Sequence, residues 1–286
     1  MNRTARFCLA LVTVALFAAA PVCAKQKTPA EVPEKAAEKT YDEKIKADPF
    51  YGDLIKTAEI MQGRDLLEYF DAAVRENPAL LPVISLWLRD NSISVTDASK
   101  INALYFLSYS DTLLAMAEGY KGAGDPGDYR SLYETALLNL HIFELMGNVD
   151  GARCQDPTAI GAVKAMVADR LDAVTAAYKM FPREVFSQIE KNALREEDKY
   201  LLRRPNVDIC GLGQARMIDL SKTPGAAQKI IPDPRFEGGK RTVYVAPPGY
   251  VYSPAIVPDN EWLQARKDIL AAVTRDWAKL YADAMK

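Results

Sequence analysis

Apolar residues recur every three to five positions over most of the chain, the spacing of helices with one buried face. From Pro49, the series Leu54, Ala58, Met61, Leu66, Leu67, Phe70 and Val74 predicts a helix that stops near Asn77, before Pro78. A shorter helix follows through Leu80, Leu81, Ile84, Trp87 and Leu88. Asp97 fits the N-cap of the next one, over about Ala98 to Tyr120. That helix carries two apolar stripes, one through Phe106, Tyr109, Leu113, Met116 and Tyr120, the other through Leu104, Leu107 and Leu114. A helix apolar on more than one side belongs at the centre of a fold.

Lys121-Gly-Ala-Gly-Asp-Pro-Gly breaks the pattern before a similar helix, Asp128 to Met146, which Gly147 and Asn148 are expected to stop. Asp156-Pro157 opens a further helix with Val163, Val167, Leu171, Val174, Tyr178 and Phe181 in register. Pro182 starts another through Val185, Ile189 and Leu194. Short links between helices imply antiparallel neighbours. Between Arg203 and Asn260 glycine and proline become frequent and the helical period fades. There, Thr242–Ala246 and Tyr250–Ser253 fit a small hairpin across Pro247-Pro248-Gly249. Asp259 then caps a last amphipathic helix with Trp262, Ile269, Val273, Trp277 and Leu280 on one stripe. The expected fold is mainly α: antiparallel helical hairpins or a bundle, with one irregular segment rich in Pro, Gly and Tyr and a small β-hairpin within it.

The front of the chain differs. Met1–Ala24 has a basic start at Arg3 and Arg6, an apolar run from Phe7 to Ala20, and a small-residue exit at Val22-Cys23-Ala24. That is the pattern of a cleaved export signal, too short to span a bilayer comfortably. Lys25–Asp48 is rich in Lys, Glu, Ala, Pro and Thr and reads as a flexible leader, with a short helix allowed around Glu34 to Lys46. Pro49–Lys286 is then one helical domain with an irregular insertion at Arg203–Asn260, and the expected location is periplasmic or secreted.

Composition adds exclusions. The chain is 49% hydrophobic and 26% charged, as in ordinary globular proteins. Without Arg3 and Arg6, 34 Lys plus Arg face 38 Asp plus Glu, a formal charge of −4. A mildly acidic chain does not suit phosphate-backbone binding, so no nucleic-acid partner is expected. No membrane span is expected after signal removal. Cleavage leaves two cysteines, Cys154 and Cys210, an even number in an oxidising compartment, which predicts a disulfide. Closing a loop of about 57 residues corresponds to roughly 4 kcal/mol.

Candidate chemistry is sparse. His141 is the only histidine, and Glu144, three residues on, shares its helix face. No second histidine exists to build a metal centre, so no metal and no cofactor are expected. Asp111 lies within the most apolar helix and needs a partner: a tyrosine or arginine from a neighbouring helix, or a pocket in which it acts as an acid. Cys210-Gly-Leu-Gly matches half a phosphate loop and lacks the preceding strand; its glycines fit a sharp turn beside a disulfide. Nucleophile-elbow and Walker A patterns are missing.

The irregular segment is the best expected recognition surface, through Tyr244, Tyr250 and Tyr252, with Arg203 and Arg204 adding charge toward an acidic partner. These features favour an exported, non-enzymatic helical protein that binds a protein or peptide in the cell envelope, an immunity or inhibitor protein among them. A carboxylate-dependent hydrolase of cell-wall or glycan material and a periplasmic small-ligand binder are the alternatives.

Overall fold

The computed structural model describes residues 40–61, 63–123, 128–201, 203–232 and 239–286. The expected signal and most of the leader lie outside these residues. The described fold is mainly α: among these residues are twelve α-helices and one two-stranded sheet.

The end of the stretch read as leader is helix α1, Tyr41–Lys46. Thr40 and Glu43 form a reciprocal capping box at its start. Asp42 ties it to Arg89 at 2.6 Å. The long helix expected from Pro49 is two: α2, Pro49–Ile60, and α3, Gly63–Glu76. Gly63 has φ of 55°, and a Cβ there would stand 1.8 Å from Asp208 Oδ2, so the break needs glycine on both counts. Helix α4, Leu81–Asp90, follows a single turn at Pro78–Leu80. Asp97 caps only the short turn Ala98–Lys100; helix α5, Ala103–Ala123, starts later, where Asn102 Oδ1 accepts from the Leu104 N–H.

Helix α6, Asp128–Arg153, runs antiparallel to α5. Ser110 Oγ donates to the Ala136 carbonyl at 2.9 Å, and Tyr133 reaches Glu118 across the same contact. The expected stop at Gly147 does not occur. A Cβ at Gly147 would lie 3.0 Å from Val163 Cγ1, so its role is close helix packing and not termination. The helix expected from Asp156 to Phe181 also divides, into α7, Thr158–Ala168, and α8, Leu171–Tyr178. At the break, Arg170 turns its guanidinium to Asp111, with Nε at 2.6 Å, and to the Met166 carbonyl. Asp111 is therefore a half-exposed ion-pair residue and not a pocket acid.

Helix α9 is Arg183–Lys199. The segment expected to be irregular contains α10, Val207–Cys210, and α11, Gln214–Lys222. Strands β1, Ala227–Pro232, and β2, Lys240–Val245, pair antiparallel, with Tyr244 opposite Gln228. The expected hairpin partner is corrected: β2 pairs backward with β1, whereas 250–257 leaves the sheet. Pro247-Pro248-Gly249 does turn, with Gly249 at φ of 79° and Tyr250 N–H bonded to the Pro247 carbonyl. Pro247 and Pro248 lack the donors to extend a ladder. Helix α12, Asp259–Ala284, closes the chain.

Two apolar clusters share α5 and α6. One joins α2 to α5 through Leu54, Leu66, Phe70, Trp87 and Tyr105, with Trp87 edge-on to both Phe70 and Tyr105. The other packs α6 against α7, α8, α9 and α12 through Phe143, Met146, Val163, Phe186 and Trp277. A buried ionic chain ties α6, α9 and α12 together. Arg203 lies 3.0 Å from Asp150 and 3.3 Å from Glu197, and Glu197 accepts from Arg266 of α12. Arg203 is thus a core residue, contrary to its expected place on a recognition surface; Arg204 next to it is exposed.

Candidate functional site

Cys154, just past α6, and Cys210, at the end of α10, are joined, with Cα atoms 5.5 Å apart. Asp156 stands beside this link at the start of both α7 and α11. Its Oδ1 accepts from the Thr158 N–H and hydroxyl, and its Oδ2 from the Ala215 N–H at 2.7 Å. Burial pushes the Asp156 carboxyl up, but these hydrogen bonds outweigh it and hold the group below its usual range. Thr158 Oγ1 in turn accepts from the Gln214 N–H. Two helix starts are thereby locked to one carboxylate.

The chain beyond the Gly249 turn runs extended along the same corner. Gln155 N–H donates to the Ala255 carbonyl at 2.9 Å and Val257 N–H to the Arg153 carbonyl at 2.8 Å. Between this extended wall and α11 opens a groove of about 400 Å³. The disulfide, Pro157, Tyr252, Pro254, Ala255 and Ile218 are among the residues that line it. Tyr252 packs on the disulfide. Tyr250 donates to Asp219 of α11 at 2.6 Å, and burial with that carboxylate pushes its hydroxyl up to about 12. Tyr244 stays half-buried in β2 and does not line this groove. Of the three expected tyrosines, then, Tyr250 and Tyr252 come together and Tyr244 does not join them.

Sequence reasoning missed Arg216. Its charge acts on both Tyr250 and Tyr252, and its Nε is buried without a hydrogen-bond partner among the described residues. Apolar side chains stand exposed around this part of the chain: Val251 at 84%, Ile230 at 67% and Ile218 at 53%. Isolated exposed residues mean little, but Ile218 lines the groove itself and adds to its apolar surface.

His141 and Glu144 lie on α6 at a second place, where Trp277 of α12 joins them. The His141 and Trp277 ring centroids are 3.7 Å apart, and Tyr178 OH meets His141 Nε2 at 2.8 Å. Burial drives His141 down to about 3 and Glu144 up to about 7. Glu144 edges an open cleft of about 260 Å³ formed with α7, α8 and α12. Among the described residues, no group of three or more His, Cys, Asp or Glu is disposed to hold a metal ion. None of the described helices is long and apolar enough to cross a membrane.

No protein-family profile, no curated protein and no solved structure matches this chain.

Proposed function

We propose that this chain is a binding protein of the cell envelope that takes an extended segment of another polypeptide in the groove over Cys154–Cys210. The observation that carries the reading is the groove itself. It is open, about 400 Å³ in volume, and its walls are fixed by a disulfide, the Asp156 clamp and backbone pairing to Arg153 and Gln155. Walls held in this way lose little entropy when a ligand binds. The disulfide also supports export, since such links persist in oxidising compartments.

Groove chemistry defines the occupant. Tyr252, Ile218 and the disulfide offer apolar contact, and the charge of Arg216, which acts on Tyr252 from behind the lining, favours an anionic neighbour. An apolar side chain followed or preceded by an acidic one fits both. An immunity or inhibitor protein, presenting this corner to an enzyme's loop, is one form of such a binder.

The test is selection of peptides from a random displayed library on the oxidised chain. Selected sequences should combine an apolar and an acidic residue. Ile218→Asp should weaken them by tenfold or more, about 1.4 kcal/mol, with unchanged melting because Ile218 is 53% exposed. Arg216→Ala should weaken the acidic ones selectively. Failure to select any peptide, or equal binding to Ile218→Asp, overturns the reading.

A further inference from the structure

The cleft at Glu144 is separate from the groove over the disulfide. Trp277 and Leu280 of α12, Val167 of α7 and Leu171 of α8 line it. Glu144 reaches it from α6. Its carboxyl has one hydrogen bond, accepted by Oε2 from Trp277 Nε1 at 2.6 Å; Oε1 has no hydrogen-bond partner among the described residues. No arginine or lysine pairs with it at salt-bridge distance among these residues, although its neighbours strip it of water. A desolvated carboxyl without a counter-ion is unfavourable in its charged form, and a cation entering from the cleft would relieve that.

Asp276, one residue before Trp277, lies at the mouth. It is exposed, holds no salt bridge among the described residues, and is close enough for its charge to raise Glu144 further. Lys279 also borders the mouth, and Asp283 there is held by Lys286 at 2.6 Å. The cleft thus carries the desolvated Glu144 carboxyl and, close enough to act on it, the exposed Asp276, beside the apolar side chains of Leu171, Leu280 and Trp277. Two carboxylates beside an apolar wall suit a compact cation with a hydrocarbon tail.

We infer that this cleft binds a small aliphatic ammonium ion, its charged head between Glu144 and Asp276 and its methylenes along Leu171, Leu280 and Trp277. The ammonium donates to the free Glu144 Oε1, and Trp277 holds the other oxygen in place. The groups facing Glu144 are Trp277 and Asp276 from α12, Lys164 from α7, Tyr178 from α8, and His141 on its own helix. Of these, His141 stays neutral, Lys164 favours the carboxylate and Asp276 opposes it. The ligand needs the carboxylate form, so binding strengthens as pH rises through neutrality.

The probe is n-butylamine, with 1-butanol as an uncharged counterpart and NaCl at matched ionic strength as the salt control. Calorimetry gives the affinity, and the Trp277 indole N–H resonance, assigned with Trp277→Phe, gives the place. Saturable amine binding that shifts this resonance, at least tenfold weaker at pH 5.5 than at pH 8, is expected. Glu144→Gln keeps an acceptor for Trp277 and should lose tenfold or more. Exposed Asp276→Asn should lose a smaller factor and melt normally. The inference is overturned by absence of saturable binding, by equal response to butanol or NaCl, or by undiminished binding in folded Asp276→Asn and Glu144→Gln. None of these outcomes depends on the groove over the disulfide.

Discussion

The indole N–H of Trp277 donates a 2.6 Å hydrogen bond to Oε2 of Glu144, 133 positions earlier in the chain. This bond fastens α12 to α6 at the edge of the larger core. It stabilises the carboxylate, yet desolvation is stronger and lifts Glu144 to about 7. An unfolded glutamate ionises near 4.5. Between these values the unfolded chain has released a proton that the folded chain keeps, so Glu144 makes stability fall as pH rises from about 4.5 to about 7, and adds no slope above. The accumulated cost is on the order of 3 kcal/mol. Thermal melts of wild type and Glu144→Gln should therefore nearly coincide at pH 4 and diverge at pH 8, with the glutamine variant higher. Equal differences at the two pH values would contradict the buried acid.

His141 shifts the opposite way. Burial holds it at about 3, far below 6.5, so the native imidazole is neutral across the physiological range. As the chain's only histidine, it gives an unambiguous NMR signal. Its ring carbon shifts in the folded protein should stay flat from pH 8 to about 4.5. The sign for stability follows: below about 6.5 the unfolded chain takes up a proton that the folded one refuses, so stability is lost as pH falls from 6.5 toward 3. A native midpoint near 6.5 would rule out the closed arrangement with Tyr178 and Trp277.

The Cys154–Cys210 link should leave no titratable thiol in the denatured, unreduced protein. Replacing both residues by alanine should lower unfolding free energy by roughly 4 kcal/mol, measured by urea denaturation. Binding in the groove should suffer beyond the stability loss, because Asp156 no longer has a fixed corner from which to hold Thr158 and Ala215. An unchanged urea midpoint in the double variant would sink this prediction.

What the sequence made legible was local or arithmetical. Periodicity marks most helices, and an even cysteine count marks the disulfide. Partner choice was hidden. Gly147 carries the same signature as a helix stop and as a packing contact, and only the approach of Val163 from α7 distinguishes them. Arg170 breaks its helix to reach Asp111, 59 residues away, which no local pattern records. Thr242–Ala246 looks forward to its nearest apolar neighbour, whereas β2 pairs back to β1 across a longer connection. At the site, His141 and Glu144 share a helix face three residues apart, but Trp277 reads only as one more member of an apolar stripe. Arg216 had no signal at all: an arginine on a short helix is ordinary until its Nε proves buried and without a hydrogen-bond partner among the described residues.

Arg203 and Arg204 give the sharpest contrast, because their neighbouring charges have opposite fates. Arg203 is 3% exposed and stands between Asp150 and Glu197, while its own carbonyl accepts from Arg153 at 2.8 Å. Arg203→Met would leave two buried carboxylates with less compensation. Breaking a buried pair from one side costs about 3–5 kcal/mol, against a net worth of the intact pair that can be near zero. Arg266 still reaches Glu197, so Asp150 suffers most. Arg204→Met removes an exposed charge and should change stability by less than about 0.5 kcal/mol. Denaturant unfolding of the two variants decides the matter. The double variant Arg203→Met, Asp150→Leu should recover part of the loss, since it removes the carboxylate left without a partner while Arg266 still pairs Glu197. If Arg203→Met and Arg204→Met unfold at the same midpoint, the buried ionic chain joining α6, α9 and α12 is not a structural element of this fold.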